Sequence, residues 1–234
     1  MLWKNRNYLL KKKENSKEKK EKQKLRNKLL IYFKIILVSL ILISCGKTNK
    51  LKNVDKILLF GDSLMSGYGL KENQVLSVIL ENDLKEAGYN IKIINGSVSG
   101  DTSEDGLDRI KEYTSGGNID LIVLGLGAND MLRRINPDQI ESNLRKIIEI
   151  IKTKNIKIIL AGMKASPTNG LAYKKKFDDI FPKLAKEYDL NLIPFLLKKV
   201  ALNPKLNQSD GIHPNFEGTK IISGTIKEII VNLD

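Results

Sequence analysis

A serine that closes an apolar run, a lone histidine and an aspartate three residues before it are the side chains of this sequence best suited to chemistry. The run Ile57-Leu-Leu-Phe60 leads straight into Gly61-Asp62-Ser63-Leu64-Met65-Ser66-Gly67. Gly61 permits a tight turn, and Ser63 would then stand exposed at the end of a strand as a candidate nucleophile. The same residues also suit a polar turn in which Asp or Ser caps a helix. A phosphate-binding loop would need a Gly-Lys-Ser/Thr ending, which is missing. A serine hydroxyl needs a base to accept its proton, and histidine is the usual one near neutral pH. The chain has one His, so any Ser–His chemistry must use His213. Asp210, three residues earlier with Gly211 between, could orient the imidazole and support its protonated form. The plainer reading is a surface histidine in a loop bounded by Pro214.

Two further loops could serve a developing negative charge. Asn95-Gly-Ser-Val-Ser-Gly100-Asp-Thr-Ser103 either caps a helix or presents a backbone N–H freed by Gly100. Gly125-Leu-Gly127-Ala-Asn129-Asp130 ends another apolar run. Asn129 there is either a turn residue or a side-chain N–H donor to an oxyanion.

The elements that must position these loops alternate along the chain. Strands are expected at Lys56–Phe60, Ile91–Ile94, Leu121–Leu126, Lys157–Ala161 and Asn191–Ile193. Most are continuous Ile/Leu/Val, as in a parallel sheet covered on both faces. Helices are expected at 73–88, 103–113, 138–154, 171–188 and 215–231. Gly88 and Asn155 are suitable stops, and Asn136-Pro137-Asp138 a suitable start. The alternation argues for a three-layer α/β/α sandwich on a mostly parallel, five-stranded, flavodoxin-like sheet. In such sheets the site lies where loops leave the carboxyl ends of the strands.

Taken together, the loops resemble the four blocks of the SGNH hydrolases, also called GDSL esterases and lipases. The blocks are Gly-Asp-Ser-Leu at 61–64, Gly100, Gly-x-Asn-Asp at 127–130 and Asp-x-x-His at 210–213. The chain is most similar to a bacterial branch of thioesterases, arylesterases and lysophospholipases. Leu-Phe-Gly-Asp-Ser-Leu-x-x-Gly-Tyr (59–68), Ser-x-Ser-Gly-Asp-Thr-Ser (97–103), Phe-Pro-Lys-Leu-Ala-Lys-Glu-Tyr (181–188) and Asp-Gly-Ile-His-Pro-Asn (210–215) carry that likeness. The resemblance implies that Ser63 attacks an acyl carbonyl, His213 moves the proton and Asp210 orients His213. It places the oxyanion hole at the N–H groups of Ser63 and Gly100 and the side chain of Asn129. It implies no metal and no organic cofactor, and a small-molecule or lipid acyl ester as substrate. An O-acetyl-carbohydrate esterase and a non-catalytic lipid- or carbohydrate-binding lipoprotein are the alternatives on the same fold. The chain departs from close relatives at Ala128, often Gly, and in the loop Met163–Gly170, which corresponds in place to a substrate-contacting loop. The likeness therefore does not extend to acyl-chain preference. Lys174-Lys-Lys176 reads as a solvated helix face, with anionic lipid headgroups as a second use.

Composition narrows the classes. The 234 residues include 40 Lys+Arg and 27 Asp+Glu, a formal net charge of +13, with 41% apolar residues. That apolar share is enough for a core, and a single Cys excludes a disulfide scaffold. One His and one Cys cannot build the usual zinc site, though a carboxylate-only site for Mg²⁺ or Ca²⁺ stays open. Net charge alone would suggest a nucleic-acid partner. However, residues 1–44 hold 13 of the bases and 3 of the acids, leaving 27 bases and 24 acids in the rest. No nucleic-acid partner is expected. The basic stretch precedes an apolar run whose uninterrupted part is Ile35–Ile43, too short for the roughly 20 residues of a membrane-spanning helix but suited to a signal peptide. Leu42-Ile-Ser-Cys45-Gly46 resembles a bacterial lipobox. Three segments are thus expected: a lipoprotein-type signal peptide at 1–44, a polar tether at 45–54 and a hydrolase domain at 55–234. Lipidated Cys45 would anchor an exported protein to a membrane, facing the periplasm or the cell exterior. An uncleaved signal anchor, or a buried helix with an incidental Cys, is the other reading of the leader.

Overall fold

The structure is a computed structural model that describes residues 23–30, 51 and 54–233. It divides into two units, 1–49 and 50–234. In the first, residues 23–30 are helical and exposed. The apolar run Ile35–Ile43 and Cys45 lie outside the described residues. Among the described residues no helix is long and apolar enough to cross a membrane.

The second unit is built on five strands: β1 (Lys56–Gly61), β2 (Lys92–Asn95), β3 (Leu121–Gly125), β4 (Lys157–Ala161) and β5 (Asn191–Ile193). Every pairing is parallel and the order is β2-β1-β3-β4-β5. That is the flavodoxin-like order. The central strands are apolar on both faces because both faces are covered: Ile57 to Phe60 and Leu121 to Leu124 have no solvent exposure. Helices α2 (Leu76–Glu86) and α7 (Phe216–Val231) pack together, and the Ser223 hydroxyl donates to Asp83 Oδ2 at 2.6 Å between them. The packing series α3 (Ser103–Thr114), α5 (Pro137–Lys152) and α6 (Leu171–Tyr188) forms the other layer.

Two very short helices stand outside the expected helix ranges: α1 (Ser63–Ser66) after β1, which matches the alternative reading of that turn as a capped helix start, and α4 (Ala128–Leu132) after β3. Four or five residues hold too little periodicity to be read as a helix. The expected helix at 73–88 resolves into a 3₁₀ turn, Glu72–Gln74, followed by α2. Of the remaining elements, Lys157–Ala161, Asn191–Ile193 and 171–188 stand as expected, and the rest differ by one or two residues at their ends.

Chain connections leave β1 toward β2 and β3 toward β4, in opposite directions. The crevice this opens at the carboxyl ends of β1 and β3 is where ligands bind in such sheets. Its floor is shaped by two facing glycines, Gly61 and Gly125, which are partners in the β1–β3 register. A Cβ on Gly61 would lie 2.6 Å from the Gly125 carbonyl and 2.8 Å from Met65 Sδ, and one on Gly125 would overlap Met65 Cε. The missing side chains leave room for Met65, which is fully buried. Helix α1, and with it Ser63, is thereby seated directly on the sheet. Gly125→Ala is expected to displace Met65 and lower the unfolding free energy by about 1–3 kcal/mol, as overpacking of a core does. Urea denaturation of the two proteins measures this.

Candidate active site

Asp62 caps α1: its Oδ1 accepts from the Leu64 N–H at 3.0 Å, while its carbonyl accepts from Met65 and Ser66 at 3.1 and 2.9 Å. The cap fixes Ser63 as the first residue of the helix. Its N–H is then one of the donors that a helix leaves without an internal partner. Its hydroxyl meets the loop that carries the lone histidine.

That loop is compact. Asn207 and Pro214 form an antiparallel bridge, Gln208 N–H donates to the His213 carbonyl at 2.8 Å, and Gly211 turns with φ +72°. The turn lets Asp210 reach across to its own loop. Its Oδ1 accepts from the N–H groups of Ile212 (2.8 Å) and His213 (3.0 Å), and its Oδ2 lies 2.7 Å from His213 Nδ1. The backbone N–H of His213, then the imidazole, then Ile212, hold the Asp210 carboxyl down to about 2. It therefore stays ionised across the neutral range and favours the tautomer with its proton on Nδ1. Nε2 is then an acceptor, and it lies 2.9 Å from Ser63 Oγ. Ser63, His213 and Asp210 thus stand in one hydrogen-bonded line, the geometry that a serine, a base and an orienting carboxylate need.

The other two loops are tied to this line. Val98 N–H donates to the Gly61 carbonyl at 3.1 Å, which draws the loop bearing Gly100 to the turn that carries Ser63. Gly100 has φ +93° and open space where a Cβ would be. Its carbonyl accepts from Arg133 Nη2 at 3.0 Å. Asn129 Nδ2 donates to the Asp101 carbonyl at 2.9 Å, leaving its second hydrogen for a ligand. The neighbouring Asp130 is fully buried and accepts from the N–H (2.8 Å) and hydroxyl (2.6 Å) of Ser103, whose hydroxyl also accepts from Asn143 Nδ2 at 3.1 Å. These bonds lock α4 to the start of α3. The structure thus brings Ser63, Asp210 and His213 into contact and seats Gly100 and Asn129 on loops tied to the same turn.

Several residues with no site role assigned from the sequence hold this arrangement. Tyr68 lays its ring against His213, with centroids 4.5 Å apart. Gln208 Nε2 donates to the Tyr68 carbonyl at 2.8 Å and to that of Pro214 at 3.0 Å, joining the segment after α1 to the histidine loop. A lone Gln in a polar loop carries no pattern by which to find it. Lys174 corrects the reading of 174–176 as a solvated face. It is half-buried and donates to Asp178 Oδ2 (2.6 Å) and the Ala165 carbonyl (2.8 Å), bracing the 163–170 loop. Lys175 and Lys176 are exposed but paired with Asp179 and Asp138. Among the described residues no group of three His, Cys, Asp or Glu is placed to hold a metal ion.

Residues 59–221 match the model of the GDSL-like Lipase/Acylhydrolase family. The chain is 36% identical over 197 residues to an arylesterase of Vibrio mimicus, covering 84% of this chain and 98% of that one. It is also 36% identical over 169 residues to "Thioesterase 1/protease 1/lysophospholipase L1" of Escherichia coli K12, covering 72% and 80%. Among solved structures, TesA superposes with a TM-score of 0.73 at 29% identity, covering 77% of this chain and all of that one. AlinE4, an SGNH-hydrolase family esterase, gives 0.65 at 41% identity, covering 75% and 95%.

The cap residue Asp62 makes stability depend on pH. Its Oδ2 has no hydrogen-bond partner among the described residues. Burial above all, opposed by the Leu64 bond and reinforced by the charges of Asp130 and Asp101, raises its carboxyl to about 7. The folded chain therefore binds this proton more tightly than the unfolded chain, and the contribution to stability falls as pH rises from about 4 to about 7. Asp62→Asn keeps an oxygen for the Leu64 bond but cannot ionise. Relative to wild type, it is expected to gain about 3 kcal/mol between pH 4.5 and pH 8. Urea melts of both proteins at the two pH values check the sign.

Proposed function

The chain belongs to the SGNH hydrolases, the GDSL-like lipase/acylhydrolase family, and is a carboxylic ester hydrolase of esterase/thioesterase type; we propose that it works through an acyl-enzyme on Ser63, with acyl esters, acyl thioesters and lysophospholipids as its substrate class. The observation that carries this reading is the unbroken Ser63–His213–Asp210 hydrogen-bond line.

In this mechanism Ser63 Oγ attacks the acyl carbonyl as His213 Nε2 takes its proton. Asp210 holds the Nδ1 hydrogen and stabilises the imidazolium. The carbonyl oxygen becomes an oxyanion held by the N–H groups of Ser63 and Gly100 and by Asn129 Nδ2. Such preorganised donors are a main source of rate in acyl transfer. Collapse expels the alcohol or thiol, which receives the proton from His213. Water, deprotonated by His213, then attacks the acyl-enzyme and releases the acid.

An acyl chain suits the surroundings. The loops bearing Gly100 and Asn129 also carry exposed Val98 and Leu132. Asn169 Nδ2 donates to the Met131 carbonyl at 2.9 Å, which ties the 163–170 loop to α4, and exposed Leu171 follows that loop. The leader has a separate role in this reading. It directs export, and Cys45, preceded by small Ser44, becomes the lipidated end of the mature chain and anchors it to the membrane.

Ser63→Ala is expected to lower kcat on a short p-nitrophenyl ester by about 10⁴-fold or more while leaving the melting temperature unchanged. Full activity in that variant contradicts the mechanism. A chain-length series of acyl esters and thioesters on the same enzyme reads out the substrate class. Turnover confined to acetyl groups points instead to O-acetylated carbohydrates. Mass spectrometry of the mature N-terminus tests the anchor: a lipidated Cys45 is expected, and an unmodified chain that keeps residues 1–44 contradicts it.

A further inference from the structure

One largely buried cation bonds two of the three segments that would carry the oxyanion donors and reaches the third, that of Asn129, through Asp101. Arg109 lies on α3, its side chain 16% exposed, and its guanidinium sits 4.1 Å over the Phe60 ring. Nε donates to Asp101 Oδ2 at 2.5 Å, Nη1 to the Gly96 carbonyl at 2.5 Å and Nη2 to the Gly61 carbonyl at 3.2 Å. Gly61 lies two residues before Ser63. Gly96 opens the loop that leads to Gly100, and Asp101 directly follows Gly100. The carbonyl of Asp101 in turn accepts from Asn129 Nδ2 at 2.9 Å. One planar fork therefore sets the carboxyl ends of β1 and β2 and, through Asp101, the amide of Asn129.

The sequence provides for this approach. Gly106 stands one turn before Arg109, and a Cβ there would overlap Leu126 Cδ1. The missing side chain lets α3 close on the end of β3 and brings Arg109 beneath the loops. The Asp101 side chain is 11% exposed, so the two charges satisfy one another away from water. A lysine could pair with Asp101, but it lacks the rigid fork that reaches three acceptors in different directions.

We propose that Arg109 is a positioning residue for catalysis: by bonding Gly61, Gly96 and Asp101 at once, it fixes the spacing of the Ser63, Gly100 and Asn129 donors around the oxyanion. This rests on the acyl-enzyme reading above. It also predicts that Arg109 acts on the transition state and hardly on substrate binding.

The test compares wild type with Arg109→Lys, Arg109→Ala and Asp101→Asn on a p-nitrophenyl ester, well below each protein's melting temperature. The expected result is a fall in kcat of about 10- to 100-fold with KM changed less than about threefold, short of the full loss from deleting an oxyanion donor. Millimolar guanidinium is expected to restore part of the Arg109→Ala loss, and methylammonium is not. Should Arg109→Ala fail to fold, Asp101→Asn carries the same kinetic comparison. Folded variants with wild-type kcat, or losses that appear in KM alone, overturn the role of Arg109 and leave the acyl-enzyme reading standing. A wild-type chain that turns over no ester or thioester overturns both.

Discussion

The hydrogen bond from Ser63 to His213 joins residues 150 positions apart, and the rest of the structure serves to hold it at 2.9 Å. Neither residue can be placed by its local chain alone. Ser63 is fixed from below, because the facing glycines Gly61 and Gly125 let Met65 anchor its short helix to the sheet. His213 is fixed from the side. Asn215 caps α7 by accepting from the Gly218 N–H at 3.1 Å, and it donates to the Lys205 carbonyl at 2.9 Å. The end of the chain thus reaches the first strand through a loop braced on both flanks.

Carboxylates stand in the same region in three environments, one exposed and two away from water. Asp210 is stabilised as an anion by backbone N–H groups and the imidazole. Asp101 is paired with Arg109. Asp62 and Asp130 are buried without a cationic partner within hydrogen-bonding distance among the described residues, and burial raises the carboxyls of both. A cap that must sit under Ser63 carries an energetic cost at neutral pH, and the core of Ile, Leu and Val around it offsets that cost.

Much of this was legible in the sequence, for identifiable reasons. The five strands announced themselves because a parallel sheet covered on both faces needs continuous apolar runs, as in Ile57–Phe60 and Leu121–Leu124. The long helices α5 and α6 kept their period over four or more turns. The serine, histidine and aspartate were findable because each stands at a strand end or in a Gly-containing loop, and because the chain has only one His. What the sequence hid is equally physical. Helices α1 and α4 are too short to show a period. Gln208 and Arg109 act through single side chains reaching across the fold, and no spacing rule encodes such a reach. Arg109 did leave a trace, since it sits among the buried positions Gly106 and Ile110 of α3, but a charge near an apolar face is common enough to pass for a boundary residue. Lys174 was hidden by its neighbours: three consecutive lysines look alike in sequence, and only the structure separates the one that braces a loop. The excess positive charge, at first sight a statement about partners, lies mostly in residues 1–44 and is nearly absent from the hydrolase unit.

The central claim is that Ser63, activated by His213, is the atom that becomes acylated. The most direct measurement is intact-mass and peptide-mapping analysis after treatment with a fluorophosphonate, which traps an activated serine as a stable tetrahedral adduct. The account predicts one adduct per chain, located on Ser63 and formed far more slowly in His213→Ala. An adduct on any other residue, or unlabelled protein that still hydrolyses esters, would contradict it.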